Sequence, residues 1–167
     1  MWKIIEEIFD PYPAQKRVVQ LLLERGFQVR EDEKIVCGNI EIPHTQIAKE
    51  AGVDRRVVDA TARKILENDL LRRIFTYIRS IAFLRDVAIQ LGHGVIEISV
   101  KDARKPGIIG SISTKIAEHG ISIRQAVADD PELSDDPKFT IITNEPISSR
   151  VIEELKKIPN IKSLTIY

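Results

Sequence analysis

The stretch that most constrains the fold is Val95–Ile123, VIEISVKDARKPGIIGSISTKIAEHGISI. Ile96, Ile98 and Val100 alternate with Glu97, Ser99 and Lys101, which predicts a strand with one buried face. A loop through Asp102 follows, and Pro106-Gly107 opens a helix whose Ile108, Ile109, Ile112, Ile116 and Ala117 turn inward. Gly120 ends that helix before a second strand. Where a strand hands the chain through Pro-Gly to a helix, several backbone N–H groups are left unpaired at one spot. Such a spot can hold a carboxylate or a phosphate.

The remaining C-terminal elements read in the same way. Strands are expected over residues 95–101, 121–128, 138–143 and 161–167. Helices are expected over 106–119 and after Ser148 or Ser149, the latter bearing Val151, Ile152, Leu155 and Ile158. The order βαββαβ is the ferredoxin-like arrangement of two helices on one face of an antiparallel sheet. The insert Asp129–Pro137, DDPELSDDP, reads as a solvated hairpin loop, with binding of a hard cation through Asp129, Asp130, Asp135 and Asp136 as the other possibility.

The first half is mainly helical. Met1–Phe9 and Pro13–Arg25 read as amphipathic helices, the second stopped by Gly26. A strand at Phe27–Val29 and a hairpin turning at Gly38-Asn39 form a small β element. Residues 44–68 have the pattern of a helix-turn-helix: Thr45 as a candidate N-cap, Ile47 and Ala48 inward, the turn at Gly52, Asp54 capping a second helix, and Val58, Ala62, Ile65 and Leu66 on one face. Ala48 must be small where the helices approach, and Val58 must plug the joint.

A DNA-reading helix-turn-helix exposes residues near the start of its second helix. Here these are Arg55, Arg56, Asp59, Ala60 and Arg63, with Lys64 beside them. The same residues permit a solvated ladder, since Arg55, Asp59, Arg63 and Glu67 are spaced four apart. Residues 54–85 hold eight Lys or Arg against four Asp or Glu, a local positive excess in a chain of zero formal net charge. From Leu70 to Leu91 there is neither Gly nor Pro, and apolar residues recur at spacings of three and four, so a long connecting helix over about 70–91, or two abutting ones, is expected. Gly92-His93-Gly94 then places the domain boundary, giving a helical domain at 1–92 and a second domain at 95–167.

Val95–Tyr167 resembles an ACT domain, on Asp102, Pro106-Gly107, the helix ending Ala117-Glu118-His119-Gly120, and Ile121-Ser122-Ile123. Together with the helix-turn-helix, the chain resembles predicted archaeal regulators of amino-acid metabolism that carry this module at the C-terminus. The resemblance implies an α+β chain that pairs as a homodimer or larger assembly through the ACT domain, binds DNA, and senses an amino acid or related metabolite. It implies a ligand site lined by Asp102, Arg104, Gly107 and Ile108, faced by Ser122 from the start of the second strand. Asparagine is common in that family where Arg104 and Ser122 stand, so amide donors are exchanged for a hydroxyl and a cation. Arg104 and Lys105 then either favour an acidic ligand or are solvated loop charges. The alternative function is a regulatory module that binds no DNA and docks on a metabolic enzyme.

Other classes find no support in the residues. His44, His93 and His119 share no spacing, and no nucleophile elbow, phosphate loop or Cys/His metal pattern occurs, so neither catalysis nor a resident metal or cofactor is expected. Cys37, the one cysteine, excludes an intrachain disulfide and reads as an apolar filler or, less simply, a nucleophile. Glu6, Glu7 and Asp10 interrupt the first apolar stretch as no signal peptide would, and no apolar run reaches bilayer length. A soluble cytoplasmic protein without membrane contact is the expectation.

Overall fold

The structure, a computed structural model, describes residues 2–167, so Met1, expected to open the first helix, lies outside the described residues. The chain divides into two compact units whose boundary falls between Ala82 and Phe83. The boundary drawn from the sequence at Gly92-His93-Gly94 falls ten residues later, because the stretch after Ala82 folds with the second unit.

The first unit comprises α1 (Trp2–Phe9), α2 (Pro13–Arg25), β1 (Gln28–Val29), β2 (Ile35–Cys37), β3 (Ile40–Ile42), α3 (His44–Ala51), α4 (Arg55–Glu67) and α5 (Asp69–Tyr77). The three short strands form one antiparallel sheet, with Cys37 opposite Ile40 across the Gly38-Asn39 turn. Helices α2, α3 and α4 enclose a core of Val18, Val19, Leu22, Ile47, Ala48, Val58, Ala62 and Ile65, joined by Ile5 and Phe9 from α1 and by Leu71 and Phe75 from α5. Burying each of the larger side chains stabilises the unit by ~1.5–3 kcal/mol. The helix-turn-helix joint is made by α3, the turn at Gly52 (φ +63) and α4, with the Asp54 carboxylate accepting from the Arg56 N–H at 2.8 Å. Thr45 is not a cap. Helix α3 already starts at His44, because Pro43 accepts the first backbone bonds from Gln46 and Ile47.

The helix expected over 70–91 is two helices separated by seven non-helical residues. Asn68 starts α5 by accepting from the N–H groups of Leu70 and Leu71, both at 3.1 Å. The helix stops at Tyr77, and Ile78 turns to ψ 145. Tertiary contacts supply the reason. The Gln28 amide and the Arg79 guanidinium both donate to the Thr76 carbonyl, at 2.8 and 2.9 Å, satisfying an acceptor that further helix would have used. The Ser80 hydroxyl donates to the Arg25 carbonyl, and the backbone of Arg79 and Ser80 rests against Gly26.

The second unit contains α6 (Arg85–Gln90), β4 (Val95–Val100), α7 (Ile108–Glu118), β5 (Ile123–Ala128), β6 (Lys138–Thr143), α8 (Ser149–Lys156) and β7 (Ile161–Ile166). The sheet order is β5-β6-β4-β7 with every neighbouring pair antiparallel, the ferredoxin-like topology. Ile96, Ile98, Phe139 and Ile141 face Ile112 and Ile116 of α7 and Val151 and Leu155 of α8. The other face is touched by α6, whose Ala88 packs with Val95 and Ile142. Within residues 106–119 the helix proper begins two residues later than expected, at Ile108, because Gly107 adopts φ +88 as its N-cap.

Candidate ligand site and candidate nucleic-acid interface

The loop from β4 to α7 is held by local bonds. Asp102 turns its carboxylate onto the Arg104 N–H at 3.0 Å, and its backbone carbonyl accepts the Asn160 side-chain amide at 2.8 Å. Beyond this turn Pro106 and Gly107 lead into α7. The Ser111 N–H and hydroxyl both return to the Gly107 carbonyl at 2.9 Å, so that carbonyl is saturated. The N–H groups of Gly107, Ile108 and Ile109 have no carbonyl one turn earlier within the helix.

These groups border a cavity of about 210 Å³. Its walls are Val100, Ala103, Lys105, Pro106, Gly107 and Ile108 on the loop side and Ala128, Asp129, Lys138 and Phe139 on the β5–β6 side. Of the sequence-derived ligand residues, Gly107 and Ile108 therefore line it. Asp102 and Arg104 belong to the supporting turn, and Lys105 reaches the wall instead. Ser122 does not face the loop. It sits beside Asn144, whose Oδ1 accepts the Ser122 N–H at 3.2 Å, at the opposite end of the sheet. The register fixes this: Ile123 pairs with Thr143, whereas Ala128 pairs with Phe139, next to the Lys138 that pairs with Ser99. Strand β5 is antiparallel to β6 and β6 to β4, so β5 starts at the end where β4 starts, about 17–20 Å from the loop. The side chains that replace Ser122 come from the far end of that hairpin. Their legible signal was the antiparallel pairing itself, which must bring the mouth of the β5–β6 connection to the end of β4.

The acidic insert serves its own turn. The Asp129 carboxylate accepts the Lys138 N–H at 3.1 Å, and that of Asp130 accepts the Glu132 N–H at 2.8 Å.

In the first unit, α4 presents the expected face. Arg56 is 92% exposed, Arg55 66% and Arg63 59%. Each has a carboxylate close by: Asp59 at 3.7 Å from Arg55, Asp54 at 3.4 Å from Arg56, and Glu33 at 3.5 Å from Arg63. At these separations and exposures the pairs contribute little. Asp59 is held more firmly, 2.6 Å from His44 Nδ1. Ala60 borders shallow hollows shared with Tyr12 and Gln15. Lys64 turns away from the group and sits over the Tyr12 ring, 3.4 Å from its centre. The ladder Arg55–Asp59–Arg63–Glu67 is broken, since only its first pair forms and Arg63 turns to Glu33 of the β1–β2 connection.

Residues 94–160 match the family described as the ACT domain, so the second unit carries an ACT domain. Two solved structures similar to the chain are an AsnC family transcriptional regulator from Agrobacterium tumefaciens and a transcriptional regulatory protein of the AsnC family from Pyrococcus furiosus. The first is 12% identical over 92% of this chain and 86% of that one, with a TM-score of 0.27. The second is 11% identical over 92% and 85%, with a TM-score of 0.26. No curated protein matches the chain. Among the described residues no helix is long and apolar enough to cross a membrane.

Proposed function

We propose that this chain is a metabolite-responsive transcription regulator that contacts DNA through α4 and senses an amino acid, or a compound like one, at the β4–α7 loop. It acts as a homodimer or larger assembly in the cytoplasm. The observation that carries the reading is the solvent-facing row Arg55, Arg56 and Arg63, set on the second helix of a packed helix-turn-helix joint in the same chain as an ACT domain. In this reading Arg56 reaches bases or phosphates, and the weakly paired arginines exchange their carboxylates for the DNA backbone. The N–H groups of Gly107 and Ile108 receive the ligand carboxylate, Lys105 adds positive charge, and Asp129 accepts from an ammonium group.

Binding to duplex DNA followed by fluorescence anisotropy tests the first half. Affinity should fall linearly on a log–log plot against salt, with a slope near −0.9 for each phosphate neutralised. Replacing Arg55 and Arg56 by alanine should abolish binding and leave the assembly state intact. Absence of any DNA retention at low salt would sink the reading. A thermal-shift screen against the amino acids tests the second half, because a ligand at ~100 times its dissociation constant stabilises the folded state by ~2.7 kcal/mol.

The carboxylates beside Arg55, Arg56 and Arg63 favour a second reading, in which this face docks on a metabolic enzyme. It predicts association that persists when α4 is tested without DNA and that is lost with the same substitutions.

A further inference from the structure

The cavity beside Pro106 and Gly107 is charged at its mouth and apolar within. Its floor is Phe139, 6% exposed and part of the core of the second unit, with Val100 and Ile108 half-buried against that core. Ala103 on the loop side and Ala128 at the end of β5 form its walls. The charged residues Lys105 and Asp129 also line it, and both are exposed. Lys138 borders it through its backbone: it precedes Phe139 in β6 and pairs with Ser99, so its side chain leaves the sheet on the face that Phe139 does not. Below the mouth, the lining residues therefore carry no side-chain donor or acceptor.

We infer that the compound bound here is an α-amino acid with an apolar side chain, branched aliphatic or single-ringed, and that polar and acidic amino acids are rejected. The inference rests on the sensing role proposed above and narrows it, since that role alone admits an acidic ligand drawn by Lys105. The cation of Lys105 and the carboxylate of Asp129 match the two charges that every α-amino acid carries, and they do so at the mouth, which leaves the ligand side chain to enter. An amide or carboxylate entering there gives up its water and finds no bond in exchange. A methylene group entering there gains from leaving water. Size sets the upper limit. A cavity of ~150 Å³ admits benzene, and this one holds about 210 Å³, so a four-carbon branch or one ring fits. The room depends on Ala103 and Ala128, because a longer side chain at either position would occupy it.

Isothermal calorimetry of the full chain with alanine, valine, leucine, phenylalanine, asparagine and glutamate tests it. Affinity should rise about fourfold for each methylene added from alanine through valine to leucine. Asparagine has the branched outline of leucine with an amide oxygen and nitrogen in place of the two methyl groups, so it isolates polarity. It should bind at least ~10-fold more weakly than leucine. Ala128→Leu should lower the affinity for leucine ~10-fold or more while keeping the wild-type circular dichroism. Ala103→Leu fills the cavity from the loop side and gives the same readout should the first variant fail to fold. Asparagine or glutamate binding as tightly as leucine would overturn the inference and leave the sensing role standing. Absence of binding by any amino acid would remove both. Leucine binding that folded Ala128→Leu and Ala103→Leu leave unaltered would also overturn it, since the apolar side chain would then enter elsewhere.

Discussion

The side-chain amide of Asn160 donates to the Asp102 backbone carbonyl at 2.8 Å, while the Asn160 carbonyl accepts from the Lys101 N–H at the same distance. One residue at the entrance of β7 thereby fixes the first turn of the loop that carries the candidate ligand site. Asn160 is also at φ +79, where a residue with a β-carbon is strained unless its side chain bonds locally. Asn160→Gly keeps the backbone conformation and loses the amide, at a cost of about 1 kcal/mol. Asn160→Ala loses both and should cost about 1–2 kcal/mol more. Denaturant unfolding of the two variants reads the difference. Hydrogen exchange at residues 101–107 should quicken in both, and equal stabilities would show that the left-handed conformation is relaxed there.

Gly26 and Gly52 end α2 and α3 at nearly the same left-handed angle, φ +64 and +63, yet their surroundings differ. A β-carbon at Gly52 meets open space, whereas one at Gly26 would lie 2.7 Å from backbone atoms of Arg79 and Ser80. Gly52→Ala should therefore cost about 1 kcal/mol, the conformational penalty alone. Gly26→Ala adds a backbone collision and should cost at least twice that, about 2–4 kcal/mol. Thermal unfolding of the pair measures it. Similar losses would mean that the segment after α5 does not press on Gly26.

The Glu154 carboxyl is held below its ordinary value of 4.5 chiefly by the hydrogen bond to His119 Nε2 at 3.0 Å. Partial burial works against this, and the charges of His119 and Lys115 and a bond from Arg150 reinforce it. A carboxyl depressed on folding contributes stability that is fully present above its unfolded pKa and is lost as pH falls through the folded one. Glu154→Gln should then be less stable than wild type at neutral pH, and the two should converge as pH drops below about 4.5. Urea midpoints across that range give the comparison, and a constant gap at every pH would exclude this linkage.

Much of the second unit was legible because its helices carry clear apolar faces and its strands are bounded by Gly, Pro and Asp. Ile96, Ile98 and Val100 marked the strand, but not its second covered face, since Val95 and Ser99 on the other side are buried too and Val95 packs under Ala88; Gly120 could end nothing but a helix. The placement of Ser122 failed at a different level. It was judged by proximity in sequence to the loop–helix unit, whereas strand direction decides which end of a sheet a residue occupies. The break after Tyr77 was not legible at all. Residues 70–91 have a helical apolar period and no Gly or Pro, and the chain leaves the helix because Arg25, Gly26 and Gln28, about fifty residues earlier, supply the bonds and the surface that residues 76–80 use instead. The exposed row on α4 was legible from Asp54 and the turn at Gly52. The diversion of Lys64 onto Tyr12 was not, since it depends on where the corner between α1 and α2 packs.

Arg85, Glu97 and Tyr167 tie α6, the first strand of the sheet and the end of β7 together. The Glu97 carboxylate lies 2.6 Å from Arg85 Nε as an ion pair, without an aligned hydrogen bond, and accepts from the Tyr167 hydroxyl at 2.8 Å, and the guanidinium lies 4.2 Å from the centre of the Tyr167 ring. The Glu97 side chain is only 13% exposed, so removing it leaves the largely covered guanidinium of Arg85 with Asp86 as its remaining carboxylate. Glu97→Ala should cost about 2–4 kcal/mol, because a charge deprived of its partner in a shielded place is worse than no charge. Tyr167→Phe removes one hydrogen bond and keeps the ring under the cation, so about 1 kcal/mol is expected. Arg85→Met with Glu97→Met removes both charges and should recover a large part of the Glu97→Ala loss. Unfolding free energies of the three variants decide the matter, and hydrogen exchange locates it. Amides of residues 84–91 should lose protection in Glu97→Ala and keep it in the double variant. If α6 stays protected in all three, Ala88 packing on Val95 and Ile142 holds the helix without the ionic tie.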